Sequence, residues 1–217
     1  MKNKTPDFAY HMTKFFTEYL PIQRNLSPNS IATYRDTFRL LLLFYDTEKH
    51  IKPNLLTLDM LNVQQIEDFM LWLKKERNCG ASTCNQRLGA LKSFFRYLQF
   101  ALPDCALQCQ ENLAIRPMKQ PEPGLKYLTI DGIKLLLEQP DIKTKYGRRD
   151  LAILSLMYDT GARVQEIADI KIVHIRFSAP ATIRITGKGD KTRVVPLLSR
   201  TEDILKQYIK DFKIDAG

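Results

Sequence analysis

The stretch ATIRITGKGDKTRVVPL, residues 181–197, holds two runs rich in β-branched residues around Gly187, Lys188, Gly189 and Asp190. Strand-forming runs on either side of a glycine-bearing turn are the pattern of a β-hairpin. Everything around this stretch reads as helix, so it decides the fold class: mainly α, with a small antiparallel β-hairpin or sheet. Just after it, Ser199 starts a closing helix with Ile204, Leu205, Tyr208, Ile209 and Phe212 on one face. Before it, Thr129 caps a short helix, IDGIKLLLEQ, and Gly147 to Asp159 forms a longer apolar one. TGARVQEI, residues 160–167, then opens another helix after a glycine break.

The first hundred residues are helical throughout. In LSPNSIATYRDTFRLLLLFYD, Ser27 is the expected N-cap and Pro28 the first helical residue. Ile31, Tyr34, Phe38, Leu41, Leu42 and Tyr45 follow at three- and four-residue steps, which makes one apolar face. Ile66, Phe69, Met70 and Leu73 repeat the pattern. So do Leu88, Leu91, Phe94, Phe95 and Leu98, with Ser82 as the expected cap. With an earlier helix near Phe8 to Leu20, these make a compact four-helix unit. After Leu102 the periodicity fades, and Pro103, Pro117, Pro121 and Pro123 mark an interdomain linker whose basic residues are Arg116, Lys119 and Lys126. The expected organisation is a helical domain over 1–103, a linker over 104–126 and a second domain over 127–217.

Composition bounds the function. At 217 residues, 44% hydrophobic and 10% aromatic, the chain is long and apolar enough to fold into packed domains. Its formal charge of +9 is divided almost evenly. Residues 1–103 carry 14 Lys/Arg and 9 Asp/Glu (14 − 9 = +5), and 104–217 carry 19 and 15 (19 − 15 = +4). Two basic halves suit a polyanion gripped by both. The longest apolar run, Leu40 to Tyr45, is far too short to span a bilayer, and no signal peptide is visible. A cytoplasmic protein with reduced thiols is expected. Cys79, Cys84, Cys105 and Cys109 match no zinc spacing and read as free thiols, so no metal site is expected.

Arg163 and Glu166 are the candidate chemical pair. An arginine in the first turn of a helix gains nothing from the dipole there, so it is not a capping choice. Its guanidinium can present a fork to two phosphate oxygens, with Glu166 one turn on to orient it. It can equally be half of an ordinary i,i+3 surface pair. Lys188 sits at the hairpin tip, with Arg184 on the outgoing strand and Lys191 and Arg193 on the return. Together they form a basic finger suited to a phosphate backbone, although hairpin tips are also charged for edge protection. Lys92 and Arg96, on the polar side of the helix near 82–100, are the best candidates for polyanion contacts in the first domain, with Thr33 and Arg87 as further candidates.

A helix with T-G-x-R-x-x-E followed by G-K-G-x-K-x-R-x-V-P-L resembles the tyrosine recombinases, the phage-integrase family of site-specific DNA recombinases. The resemblance covers the whole chain. Residues 1–103 resemble the helical core-binding (SAM-like) domain that precedes the catalytic domain, and 127–217 its N-terminal half. Ala162 stands where family members often carry leucine. The resemblance implies that Arg163 binds the scissile phosphate, that Glu166 supports it, and that Lys188 is the general acid for the departing 5′-oxygen. It implies double-stranded DNA as partner, a homo-oligomer on DNA for the full-length enzyme, and neither metal nor nucleotide cofactor. It also requires a His-x-x-Arg box, a further His or Trp and a nucleophilic tyrosine after the hairpin. Only His11, His50 and His174 are present, and Tyr208 lies in an apolar helical pattern that reads as core. The expectation is a fragment that binds DNA without cleaving it. The rival is a non-enzymatic DNA-binding truncation that occupies recombination sites or inhibits the full-length recombinase.

Overall fold

The computed structural model describes residues 7–120, 124, 127–187 and 189–214. It divides between residues 123 and 124 into two compact units. The first is helical. α1 (Phe8–Lys14) runs directly into a π-helical turn over Phe15–Gln23, and α2 (Pro28–Glu48), α3 (Val63–Lys75), α4 (Ala81–Ala101) and α5 (Ala106–Ala114) follow. α2 begins as the sequence dictates: the Ser27 hydroxyl accepts from the Ser30 N–H, and Pro28 fills the first helical position. α4 departs from expectation. Gly80 is its N-cap, without a side-chain cap bond, and Ser82 lies inside the first turn.

The apolar stripes meet in an aromatic centre. Phe94 is fully buried, with its ring centroid 5.1 Å from Phe15, 5.2 Å from Phe38 and 5.9 Å from Phe8. The near-perpendicular ring planes there place ring edges on ring faces, the arrangement the aromatic quadrupole favours. Polar ties fix the long α2–α3 connection over this core. Tyr45 donates its hydroxyl to the Met60 carbonyl at 2.7 Å, and Asp7 accepts from the Leu58 N–H at 2.9 Å.

Residues 104–114, expected as linker, extend this unit instead. Gln108 and Asn112 of α5 donate to the Leu58 and Leu61 carbonyls, each at 2.8 Å, and Asn112 is completely buried. The chain then straps back along α4. Asn85 and Met118 exchange two hydrogen bonds of 2.9 and 2.7 Å, and Lys92 Nζ donates to the Ile115 carbonyl at 2.6 Å. The helix was hidden by the four prolines around it, and its ties become visible only once the α2–α3 carbonyls are in place. The expected unit of four helices therefore has a fifth.

The second unit packs α6 (Ile130–Glu138), α7 (Lys145–Thr160), α8 (Val164–Ala168) and α9 (Ser199–Phe212) with a three-stranded antiparallel sheet. Its strands are β1 (Ile175–Arg176), β2 (Thr182–Gly187) and β3 (Lys191–Pro196), in the order β1-β2-β3. Thr129 caps α6 as expected, and Thr144 caps α7 by accepting from the Gly147 N–H. The core joins Ala152 and Leu156 of α7, Ile167 of α8, Ile183 and Ile185 of β2 and Leu205 of α9. Ile204 and Tyr208 pack against it as their helical spacing requires. Among the described residues no helix is long and apolar enough to cross a membrane.

The aromatic centre supplies the first test. Phe94→Ala should destabilise the chain by about 3–5 kcal/mol, because a ring touching three others cannot be replaced by local collapse. Urea unfolding followed by fluorescence measures it, and a loss near zero would mean the cluster is not the core of this unit.

Candidate functional site

The site grows out of the end of α7. Gly161 closes that helix in the left-handed region at φ 57°, with its N–H on the Met157 carbonyl at 3.0 Å. Thr160 tightens the turn by accepting from the Ala162 N–H, and Ala162 is buried against the core. The chain therefore turns sharply and delivers Arg163 to the N-cap of α8, one residue before the first helical turn. Because α8 is only five residues long, its dipole is slight. The case for anion binding thus rests on the guanidinium itself.

Three residues converge here. Glu166 is only 6% exposed, whereas the Arg163 side chain is 77% exposed. Glu166 Oε1 accepts from Arg163 Nη1 at 2.9 Å, and Oε2 accepts from the Arg163 backbone N–H at 3.1 Å. The third partner is Arg193 of β3, whose Nη2 donates to Oε2 at 2.7 Å. The hydrogen bond from Arg193, then that from the Arg163 N–H, lowers the Glu166 pKa from 4.5 to about 2. Gly187, at the end of β2, leaves the carboxylate its space: a Cβ there would lie 2.5 Å from Oε1.

The expected basic finger is divided by strand alternation. Ile185 stands opposite Arg193 and Arg184 opposite Val194, so Arg193 shares the inner face with Ile183 and Ile185 while Arg184 points the other way, exposed. Lys191 is exposed at the hairpin end, paired with Gly187. Lys188 lies outside the described residues. In the first unit Arg96 is exposed, Thr33 and Arg87 are half-buried, and Lys92 is half-buried with its ammonium on the Ile115 carbonyl. Thr33 donates back to the Asn29 carbonyl within α2. His174 accepts the Lys171 N–H at 3.2 Å and so closes a short turn before β1.

A cavity of about 620 Å³ lies between α7, α8 and α9. It is walled mainly by aliphatic residues with Tyr208 among them, and neither Arg163 nor Arg193 lines it. Sequence reasoning missed two members of the cluster, Gly187 and the inward role of Arg193. The parity of β2 and β3 carried the second, but only for a known turn length.

Two family descriptions match this chain: the phage-integrase N-terminal SAM-like domain over residues 14–100, and the phage-integrase family over 126–216. The chain belongs to the phage-integrase family of tyrosine recombinases. Among its relatives, y4rC of Sinorhizobium fredii, named as an integrase/recombinase, is 34% identical over 96% of this chain and 63% of its own length. The tyrosine recombinase XerD of Listeria innocua is 31% identical over 90% of this chain and 63% of its own length. The chain thus spans under two thirds of the length of these relatives. Two solved structures share the fold. The Tn1549 transposon integrase in complex with transposon right end DNA has a TM-score of 0.67 at 16% identity, covering 92% of this chain and 65% of that one. The XerH site-specific recombinase bound to difH has a TM-score of 0.62 at 23% identity, covering 88% and 54%.

The lowered Glu166 pKa fixes a sign. A carboxyl held below its unfolded value contributes stability above about pH 4.5, and that contribution is lost as pH falls toward about 2. Wild type should therefore melt higher than Glu166→Gln at neutral pH, with the gap closing between those two values. A gap independent of pH, followed by calorimetry from neutral to acid, would remove the ionised carboxylate from the account.

Proposed function

We propose that this protein acts in site-specific DNA recombination, cutting and rejoining strands through a 3′-phosphotyrosine, and that these 217 residues carry the phosphate-gripping half of the chemistry. The observation behind this reading is the exposed Arg163 fork tethered from behind by a buried carboxylate. An exposed guanidinium adds little to stability, whereas one held in a fixed direction is ready for a phosphate without further ordering. In the reaction, a tyrosine oxygen bonds to phosphorus as the bond to the 5′-oxygen breaks. Negative charge builds on the equatorial phosphate oxygens, where Arg163 stabilises it, and Lys188 gives the departing oxygen its proton.

After the hairpin this sequence has no His-x-x-Arg box, and its tyrosine there, Tyr208, packs against the apolar core. Charge stabilisation cannot replace a covalent nucleophile, so the 217 residues bind duplex DNA without cutting it. The absence of a nucleophile equally favours a chain that occupies recombination sites as a non-enzymatic binder. In the first unit the exposed Arg96 is a freer DNA contact than Lys92, whose ammonium is engaged, and Thr33 and Arg87 flank this role less openly. Arg184 and Lys191 provide the hairpin's contacts. A full-length enzyme would assemble as a homo-oligomer on DNA.

Fluorescence anisotropy on duplex DNA should show affinity falling steeply with salt as phosphate contacts release counterions. Absence of binding at low salt would refute the reading. Arg163→Ala should cost about tenfold in affinity and lower the salt slope by about one. Its melting temperature should barely move, because Arg193 still pairs with Glu166. Arg163→Lys should recover only part of the binding, since an ammonium lacks the two-pronged geometry. A nicked suicide substrate should trap no covalent adduct, and an adduct at Tyr208 would restore that residue as nucleophile.

A further inference from the structure

Arg193 has the sequence context of a DNA contact and the surroundings of something else. It lies on the inner face of β3, opposite Ile185, and its guanidinium reaches the same carboxylate oxygen that accepts the Arg163 backbone N–H. We propose that Arg193 is a positioning residue and not a DNA contact: through Glu166 it clamps the β2–β3 hairpin to the start of α8, so that the hairpin turn and Arg163 are held in one fixed relation.

The geometry carries this in three ways. Glu166 is the common acceptor, with one oxygen for the Arg163 side chain and the other shared by the Arg163 backbone and Arg193. Removing Arg193 takes the 2.7 Å donor from a carboxylate that is only 6% exposed and breaks its tie to β3, whereas the Arg163 backbone N–H stays on that carboxylate whatever side chain residue 163 carries. Gly187 brings the hairpin close enough for the contact, since any side chain there would strike Oε1. Last, an arginine committed to a buried carboxylate has its charge neutralised locally and has little left for a phosphate. Arg184 and Lys191 are exposed on the same hairpin and carry no such tie.

The test uses the full chain with Arg193→Met, Arg193→Lys and Gly187→Ala. Two readouts are taken: the ionisation of the Glu166 carboxyl by carbon-13 NMR, and the salt dependence of DNA binding. At about pH 3.5 the wild-type carboxyl should be fully ionised, partly protonated in Arg193→Met, and ionised again in Arg193→Lys. Arg193→Met and Gly187→Ala should each weaken DNA binding several-fold while leaving the salt slope unchanged. Arg184→Ala should lower that slope by about one. If Arg193→Met does not fold, Arg193→Gln, which keeps an N–H donor without the charge, is read in its place. A slope that falls by about one on losing Arg193 overturns the proposal, whatever the carboxyl does. So does a Glu166 carboxyl that stays ionised without Arg193. The slope readout rests on the DNA-binding function proposed above and the carboxyl readout does not, so a chain that binds no DNA defeats that function while NMR still decides the clamp.

Discussion

Glu166 is a negative charge in a place with little water, and a buried carboxylate is tolerated only where donors surround it. Each of its neighbours in the second unit can be understood as meeting that requirement. Gly161 turns the chain out of α7 so that the Arg163 N–H points back at the carboxylate. Ala162 anchors that turn in the core. The hairpin returns at the register that brings Arg193 to Oε2, and Gly187 withholds a side chain where one would collide. Two arginines that would repel each other are thereby held beside a shared counter-charge.

The first unit is stabilised on a different principle. Its centre is an aromatic cluster whose members come from α1, the π-helical turn, α2 and α4, so no single helix is stable without the others. Polar ties then add definition at the edges, chiefly from α5 and the strap that follows it to the α2–α3 connection and to α4. The strap has a cost for function. It engages Lys92, a residue whose place on the polar side of α4 otherwise suits a phosphate. Charge on a helix surface is thus no guide to availability until the neighbouring chain is in place.

The two arginines of the Glu166 cluster show the same division within a few ångströms. Both donate to one carboxylate, yet the Arg163 side chain is 77% exposed and that of Arg193 39%. The first is held from behind with its fork outward, which suits electrostatic stabilisation of a phosphate. The second spends its charge on orientation. Preorganisation of this kind lets a site meet developing charge without rearranging.

The sequence alone determined a good deal. Helical periodicity located the apolar faces of α2, α3, α4 and α9, because a 3.6-residue repeat is imposed locally. Ser27 and Thr129 marked the starts of α2 and α6 through hydrogen bonds that span only three residues. The hairpin was legible in its glycines and β-branched flanks, and the Arg163–Glu166 pair in its i,i+3 spacing. Tertiary structure decided what depends on distant partners. Residues 106–114 became a fifth helix because carbonyls some fifty positions away accept their side chains. Arg193 joined Glu166 across 27 positions, through a strand register that a turn of one residue more or less would have inverted. Local interactions are written in neighbouring residues. Pairing across the fold exists only once the backbone has brought its ends together.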